Sequence, residues 1–473
     1  MAQKKIGKWS HKEAGEKYDV IVIGAGLSGM GVGGLLAKAG KKVIILEKSN
    51  AVGGKARSVE TEGITFDLGP HVIQEKGFEE KLTDLLGKGE ELRKIRVPFI
   101  EKDVKLAAYK NGKWVDLYST IPTGPEIEKV SKTIAAIKPE DIPKYDSISV
   151  GDWIKGITSD ENIIYFVHFF SSVMCTHADP NNMSTGTYLR LLRLPTYDPA
   201  AGGLLCYYPK GGMGGWMKLL EEGCREKGAT IRTNSEVTKI LVENDEVKGV
   251  LVEEGDRSKQ IRFHGYGEIG EVKRIEAPII VTSFPIWDLF SIITEDHFPT
   301  WFVEWAKGFE GKTTAILGFW VTSKEPILKE KWFVLTESPR TKLPFVILPL
   351  TNLVPELAPK GIHFLNQVSL CELDMKKDRE RIYDSIELLK EDMDEFYPGW
   401  RDKVTSFRPY FFDFEEPSHM PTHFGIFRPG PKAPKVSGLY FTGESVNSNI
   451  PTMEGTSESA IICAKEILGT EEL

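Results

Sequence analysis

A short apolar run, Tyr18-Asp19-Val20-Ile21-Val22-Ile23, leads straight into Gly24-Ala25-Gly26-Leu27-Ser28-Gly29 and then into a helix-compatible stretch ending near Gly40. This order of strand, tight turn and helix constrains the fold more than any other feature of the chain. Gly24 suits the positive φ of the turn, Gly26 lets the backbone approach a pyrophosphate, and Gly29 permits close packing of helix on strand. Leu27 and Ser28 open the helix, whose unpaired N–H groups then face the phosphates. A second apolar run, Val43-Ile44-Ile45-Leu46, ends in Glu47, about 20 residues beyond the glycines, where an acid grips the ribose of an adenosine. The glycines alone are a weak signal; strand, helix, second strand and acid together point to a dinucleotide. Glu47 has no neighbouring Arg, which favours FAD or NAD over a 2′-phosphorylated cofactor.

Next comes Lys48-Ser49-Asn50-Ala51-Val52-Gly53-Gly54-Lys55-Ala56-Arg57-Ser58, a second glycine pair that a plain NAD domain does not require. The stretch resembles the GG-R-x-x-S/T motif that follows the ribose-binding acid in the amine oxidase and phytoene desaturase superfamily of flavoproteins. Lys55 stands where that family usually has Arg, which keeps a positive charge but loses the planar fork. The resemblance implies that Lys48, Gly54 and Lys55 contact a non-covalently held FAD. Gly63-Ile64-Thr65-Phe66-Asp67-Leu68-Gly69-Pro70-His71-Val72-Ile73 is similar to the phytoene desaturase-like branch, with its carotenoid and retinoid desaturases and saturases. In that branch this strand and turn pass beside the isoalloxazine ring, which puts Gly69, Pro70 and His71 near the reaction centre. His71 is the candidate catalytic side chain; binding substrate, moving a proton and satisfying a buried backbone carbonyl are its alternative roles.

Further on, Pro209-Lys210-Gly211-Gly212-Met213-Gly214-Gly215 precedes a helix-compatible stretch to about Lys227, then strand patterns at Ala229 to Arg232, Val237 to Val242, Val247 to Val252 and Pro278 to Ser283. The resemblance implies a return here to the FAD domain, with the backbone at Val237 holding the adenine; strand packing is the alternative reading of Val237. Leu439-Tyr440-Phe441-Thr442-Gly443-Glu444 resembles the strand and turn that close the FAD site and places Gly443 and Glu444 beside the pyrophosphate and ribitol. Thr452-Met453-Glu454-Gly455 opens a helix whose Ala460, Ile461, Ala464, Ile467 and Leu468 share one apolar face. Such a helix aims its positive end at the flavin pyrimidine, where the Met453 N–H meets the negative charge that reduction places at N1 and O2.

At 473 residues the chain exceeds the ~250–300 at which a single core stops growing. The expected architecture is α/β: a Rossmann-like FAD-binding domain from residues 1–80, 206–292 and 424–473, and an α+β substrate domain from 81–205 and 293–423. This is the glutathione-reductase-type FAD arrangement. Ile163, Phe166, Val167, Phe170 and Met174 lie at helical spacing and suit a core, a substrate tunnel wall or a membrane-docking surface. Phe345 to Leu353 reads as an apolar strand, followed by a proline-rich turn and a second strand start by Phe364. Arg379 to Phe396 reads as an amphipathic helix.

A net charge of −8 opposes nucleic acid as a partner. Five singly scattered cysteines lack metal-site or disulfide spacing, so no metal is expected and a reducing, cytoplasmic setting fits. Lys4, Lys5, Lys8 and Lys12 are followed by no apolar signal core and read as a solvated tail. No run approaches the ~18–20 apolar residues that span a bilayer, and peripheral membrane association has no specific support.

The resemblance implies an FAD-dependent oxidoreductase that desaturates or saturates a C–C bond of an apolar substrate, such as a terpenoid or cyclic compound, by hydride transfer to or from flavin N5. Redox-neutral isomerisation shares these motifs. A flavin amine oxidase, the alternative, frames its amine between two aromatic rings, one just before the position matching Met453; Thr452 stands there instead. GDP dissociation inhibitors of small GTPases resemble the same architecture without FAD, but their fingerprint is degraded, whereas Gly24, Gly26, Gly29 and Glu47 are intact. No second strand-linked glycine fingerprint appears, which leaves oxygen, a quinone or a carrier protein as electron acceptor. The substrate's identity and the oligomeric state are not encoded in these motifs.

Overall fold

The computed structural model describes residues 15–99, 104–194, 197–198, 203–255, 271–309, 313–329, 332–416, 420–446, 448 and 450–473. The basic tail from Lys4 to Lys12 lies outside the described residues. Val20–Ile23 and Val43–Leu46 are buried at every position, as strands covered on both faces must be. They are the middle of a five-stranded sheet ordered Thr230–Arg232, Val43–Leu46, Val20–Ile23, Ile279–Thr282, Leu439–Phe441, and every neighbouring pair is parallel. Segments far apart in the chain therefore meet in one sheet.

One face of this sheet carries the fingerprint helix Leu27–Lys38, flanked by Gly212–Glu226 and the C-terminal helix Thr452–Leu468. Glycines let these helices approach. A methyl group at Gly31 would stand 2.9 Å from the Ala460 Cβ, and one at Gly34 would stand 2.9 Å from the Cys224 sulfur. The other face packs Ile21, Ile44 and Leu46 against Val250, Val252 and Ile275. Those last residues belong to an antiparallel ribbon of Ser235–Glu243, Glu246–Glu254 and Glu271–Glu276.

A seven-stranded sheet runs in the order Val404–Glu416, Thr314–Ser323, His363–Glu372, Pro344–Leu348, Trp332–Glu337, Lys105–Lys110, Lys113–Asp116. Side chains alternate between its two faces. Leu317, Phe319, Phe345, Ile347 and Leu365 meet the amphipathic helix Arg379–Phe396 through Ile386, Leu389, Met393 and Phe396. The alternate set, Ile316, Val346, Leu348, Val368 and Leu370, borders a large cavity. The helix Glu161–Met174 is capped by the Asp160 carboxylate, which accepts from the backbone of Asn162 and Ile163. Its Ile163 and Val167 join a helical core with Ile154 and Leu189, while Val173 and Met174 line the cavity. The helix thus belongs to a core and also borders the cavity.

The strand expected over Phe345 to Leu353 ends early. Pro344–Leu348 pairs on both sides, but Pro349 has no N–H to continue the ladder, and Leu350–Leu353 turns into a short helix. The next strand begins only at His363. All five cysteines are free and buried. Among the described residues no helix is long and apolar enough to cross a membrane.

The fingerprint helix rests on Gly29, where a Cβ would lie 2.0 Å from the Gly24 carbonyl oxygen. Gly29→Ala is expected to cost about 1–3 kcal/mol through overpacking. A fall in the urea midpoint with an unchanged denaturant slope checks this; an unchanged midpoint refutes the packing argument.

Candidate functional site

Gly24 takes φ +98°, its N–H donates to the Leu46 carbonyl at 2.7 Å, and its own carbonyl accepts from the Ser283 hydroxyl at 2.9 Å. A Cβ built on Gly26 would meet nothing within 4 Å, because this glycine opens on the cavity. No side chain caps the helix that follows, so its first N–H groups are left for a ligand. The second glycine pair has a packing reason that its sequence does not announce. The Gly53 N–H donates to the Ala25 carbonyl at 2.8 Å, and a Cβ on Gly54 would stand 3.2 Å from the Gly26 Cα. Glu47 is held rigidly. One carboxylate oxygen accepts from the Ala25 N–H at 2.8 Å, and the other accepts from the N–H and hydroxyl of Ser49 at 2.9 and 2.7 Å. A carboxylate oxygen accepts two hydrogen bonds, so the first retains a position for a further donor such as a ribose hydroxyl.

The cavity has a volume of about 1120 Å³, beyond the ~300–1,000 Å³ of a single small-molecule pocket. Gly24, Gly26, Leu27, Ser28, Glu47 and Lys48 line one end of it, and Gly54 and Lys55 adjoin them. Val237 borders it beside Ser235, Glu236 and Trp287. Gly69, Pro70, His71, Gly443, Glu444, Thr452 and Met453 line its middle reach. Gly29 alone among the expected residues stands behind the wall, where it packs under Gly24.

Glu444 has a role that the sequence reading did not anticipate. Its carboxylate accepts from the Thr452 N–H at 2.7 Å and so caps the C-terminal helix. Thr452 itself sits at φ +70°. The Met453 N–H is the next along the helix and lies at the cavity. Gly443 is fixed by donating its N–H to the Ser459 hydroxyl at 3.0 Å.

His71 does not satisfy a backbone carbonyl. Its Nε2 lies 3.0 Å from the Asn366 side-chain nitrogen, and its Nδ1 lies 3.5 Å from an Asp67 oxygen. Asp67 is buried and accepts from the Ser58 hydroxyl at 2.5 Å, the Met213 N–H at 3.0 Å and the Tyr208 hydroxyl. Burial, then the adjacent Asp67 charge, pushes the Tyr208 phenol well above its ordinary range. On the other side, the Tyr410 hydroxyl lies 2.8 Å from the Asn366 side-chain oxygen and 2.9 Å from the Gln367 carbonyl, and burial raises this phenol too. The imidazole is thus clamped between the strand before the Gly69 turn and the seven-stranded sheet.

Sequence reasoning missed Asn366, whose one local signal is an amide on the cavity-facing side of an apolar strand. It also missed Gln74, Glu79 and Cys206 on the wall, and the apolar tunnel formed by Leu106, Phe333, Leu335, Val346, Val368 and Leu370. Phe99 and Phe333 meet edge to face, with centroids 4.7 Å apart, and form one continuous wall rather than two opposed rings.

Residues 22–88 match the model of the NAD(P)-binding Rossmann-like domain. Prolycopene isomerase 1, chloroplastic, from an Oncidium hybrid cultivar is 24% identical over 99% of this chain and 90% of its own length. 4,4'-diapophytoene desaturase from Methylomonas sp is 23% identical over 50% of this chain and 51% of its own. A solved oxidoreductase from Methanosarcina mazei superposes with a TM-score of 0.70 over 96% of this chain and 100% of that one, at 20% identity. The matched segment is that of a nucleotide-binding Rossmann-like domain, and the superposition shows the fold that the two chains share.

Asp67→Ala would leave the Tyr208 hydroxyl and the Met213 N–H buried without an acceptor. The expected loss is about 2–5 kcal/mol of unfolding free energy. His71→Ala, at the cavity edge, is expected to lose no more than about 1–2 kcal/mol. Chemical denaturation of both variants checks the order; equal losses would refute it.

Proposed function

Because this chain fits the phytoene desaturase-like branch of the amine oxidase superfamily, we propose that it is an FAD-dependent oxidoreductase that removes or adds hydrogen across a C–C bond of a long apolar polyene or terpenoid. The observation that carries the reading is the single cavity that runs from the fingerprint glycines and Glu47 to the apolar face of the seven-stranded sheet. One end offers backbone N–H groups, a ribose-binding acid and Lys55 near the phosphates, the donor set that FAD needs. The rest offers hydrocarbon. Residues 1–80, 206–292 and 424–473 are proposed as the FAD-binding domain, and 81–205 with 293–423 as the substrate domain.

When bound, the flavin supplies hydride transfer at N5. The chain's own residues would then divide the remaining work. The helix start at Leu27 and Ser28 holds the pyrophosphate, Glu47 holds the ribose, and the Val237 backbone holds the adenine. Gly443, Glu444 and the start of the helix that Glu444 caps would hold the ribitol and pyrimidine end of the cofactor, where the Met453 N–H would favour negative charge. Leu335, Val346, Val368 and Leu370 exclude water and align an apolar chain against the ring. His71, hydrogen-bonded to Asn366 at Nε2 and 3.5 Å from Asp67 at Nδ1, would be the side chain nearest the reacting atoms.

Amine oxidation is the weaker reading, since Thr452 replaces an aromatic wall and Phe99 and Phe333 pack together instead of framing a substrate.

The protein purified without added cofactor is expected to show the yellow absorption of oxidised flavin, and anaerobic addition of a polyene or terpenoid, but not of an amine, is expected to bleach it. Bleaching by the amine alone would transfer the assignment to amine oxidation. A protein that stays colourless even with added FAD would overturn the enzyme reading and revive a binding role. Val368→Trp, which fills the tunnel away from the cofactor end, is expected to keep the yellow colour and lower kcat/KM for the polyene by about tenfold or more, a loss of at least ~1.4 kcal/mol. An unchanged kcat/KM would place the substrate elsewhere.

A further inference from the structure

Two carboxyl groups meet beside the start of the C-terminal helix, one on the cavity wall and one buried directly behind it. Glu454 follows Thr452 and Met453, and Glu79 lies in the first turn of the helix Phe78–Leu85 and lines the cavity. Their exposures are 0% and 1%. Glu79 accepts from the Gln74 N–H at 2.8 Å, and Glu454 accepts from the Phe78 N–H at 2.5 Å. The second oxygen of Glu454 makes no hydrogen bond of good geometry; the Glu79 backbone N–H and the Glu79 carboxyl are its neighbours. Gly77 makes room for this contact, because a Cβ there would lie 1.9 Å from that oxygen.

The titratable groups around the pair are Glu75 and Glu80 on the chain leading into and along the Phe78–Leu85 helix, Cys206 and Tyr207 on the adjoining strand, and Glu458 one turn along the C-terminal helix. All are acids. Arg96 acts on Tyr207, and among the described residues no Lys, Arg or His forms an ion pair with Glu79 or Glu454. Two touching carboxylates without a cation do not both ionise. Burial first, then the charge of Glu454, raises Glu79 well above the ordinary carboxylate range, and burial raises Glu454.

We propose that Glu79 and Glu454 share one proton in the resting protein and bind a second when a flavin in the cavity is reduced. This rests on the flavin reading above. The substrate is oxidised: it passes a hydride, with its electron pair, to the flavin and releases a proton to the medium. The flavin gains one negative charge, and one proton from the medium binds the remaining carboxylate of the pair, forming an O–H bond and making the pair neutral. The wall then carries no charge opposing the reduced ring.

The test is the midpoint potential of the bound flavin from about pH 5.5 to about pH 9, by anaerobic dye equilibration, in the wild type and in Glu79→Gln/Glu454→Gln. Each proton taken up per two electrons moves the potential by about 30 mV per pH unit. Within this range the wild type is expected to reach a slope of about 59 mV and the double variant to stay near about 30 mV. Equal slopes overturn the proposal. A second measurement needs no flavin. Groups whose folded pKa is raised give stability that is complete below the unfolded value, near ~4.3, and is lost as pH rises through the folded value. The wild type is therefore expected to lose more thermal stability than Glu79→Gln as pH rises from about 5 to about 9. Equal losses would show that no proton is shared and also overturn the proposal. A protein that binds no flavin would overturn the flavin reading and the coupling with it, while the pH comparison judges the shared proton alone.

Discussion

The architecture depends on one close approach, that of the helix Leu27–Lys38 to the strand before it. Gly29 lies under the Gly24 carbonyl, Gly33 against Ile45, and Gly31 and Gly34 against two neighbouring helices. Glycine inside a helix is unfavourable by about 1 kcal/mol relative to alanine, and this helix has several. Its stability therefore comes from being covered on all sides, by the parallel sheet beneath it and by Gly212–Glu226 and Thr452–Leu468 around it. Seating the helix this closely turns its uncapped start toward the cavity and keeps Glu47, at the end of the next strand, within reach of the same ligand.

The rest of the site follows from strand periodicity. In the seven-stranded sheet one set of alternate side chains is consumed by the helix Arg379–Phe396, and the other set makes the tunnel. Both faces are apolar, so the sequence of each strand looks like ordinary buried sheet. Only the packing distinguishes the face that meets a helix from the face that borders the cavity.

That difference explains what was legible in the residues. The strands and helix around Gly24, the acid Glu47, the returning strands at Thr230–Arg232 and Ile279–Thr282 and the C-terminal helix all announce themselves through local spacing. The partners of His71 do not. Asn366 and Tyr410 come from strands whose own patterns are unremarkable, and only the folded sheet brings them to the imidazole. The Glu79 and Glu454 contact is hidden for the same reason, since each glutamate alone reads as an ordinary first-turn acid of a helix. Over Phe345 to Leu353 local reasoning erred because hydrophobicity outweighed Pro349, which has no N–H for the ladder.

The sheet that holds the fingerprint takes its outer strand from Leu439–Phe441, and the cavity takes a wall from the helix that follows. During synthesis the N-terminal strands and helix emerge long before these pieces exist. Until they arrive, the glycine face of the fingerprint helix that will meet Ala460 is bare and the cavity lacks the wall that Thr452, Met453 and Thr456 supply. Docking of the Thr452–Leu468 helix is then the step that completes this wall, so the cavity takes its full shape only after segments more than 400 residues apart have met.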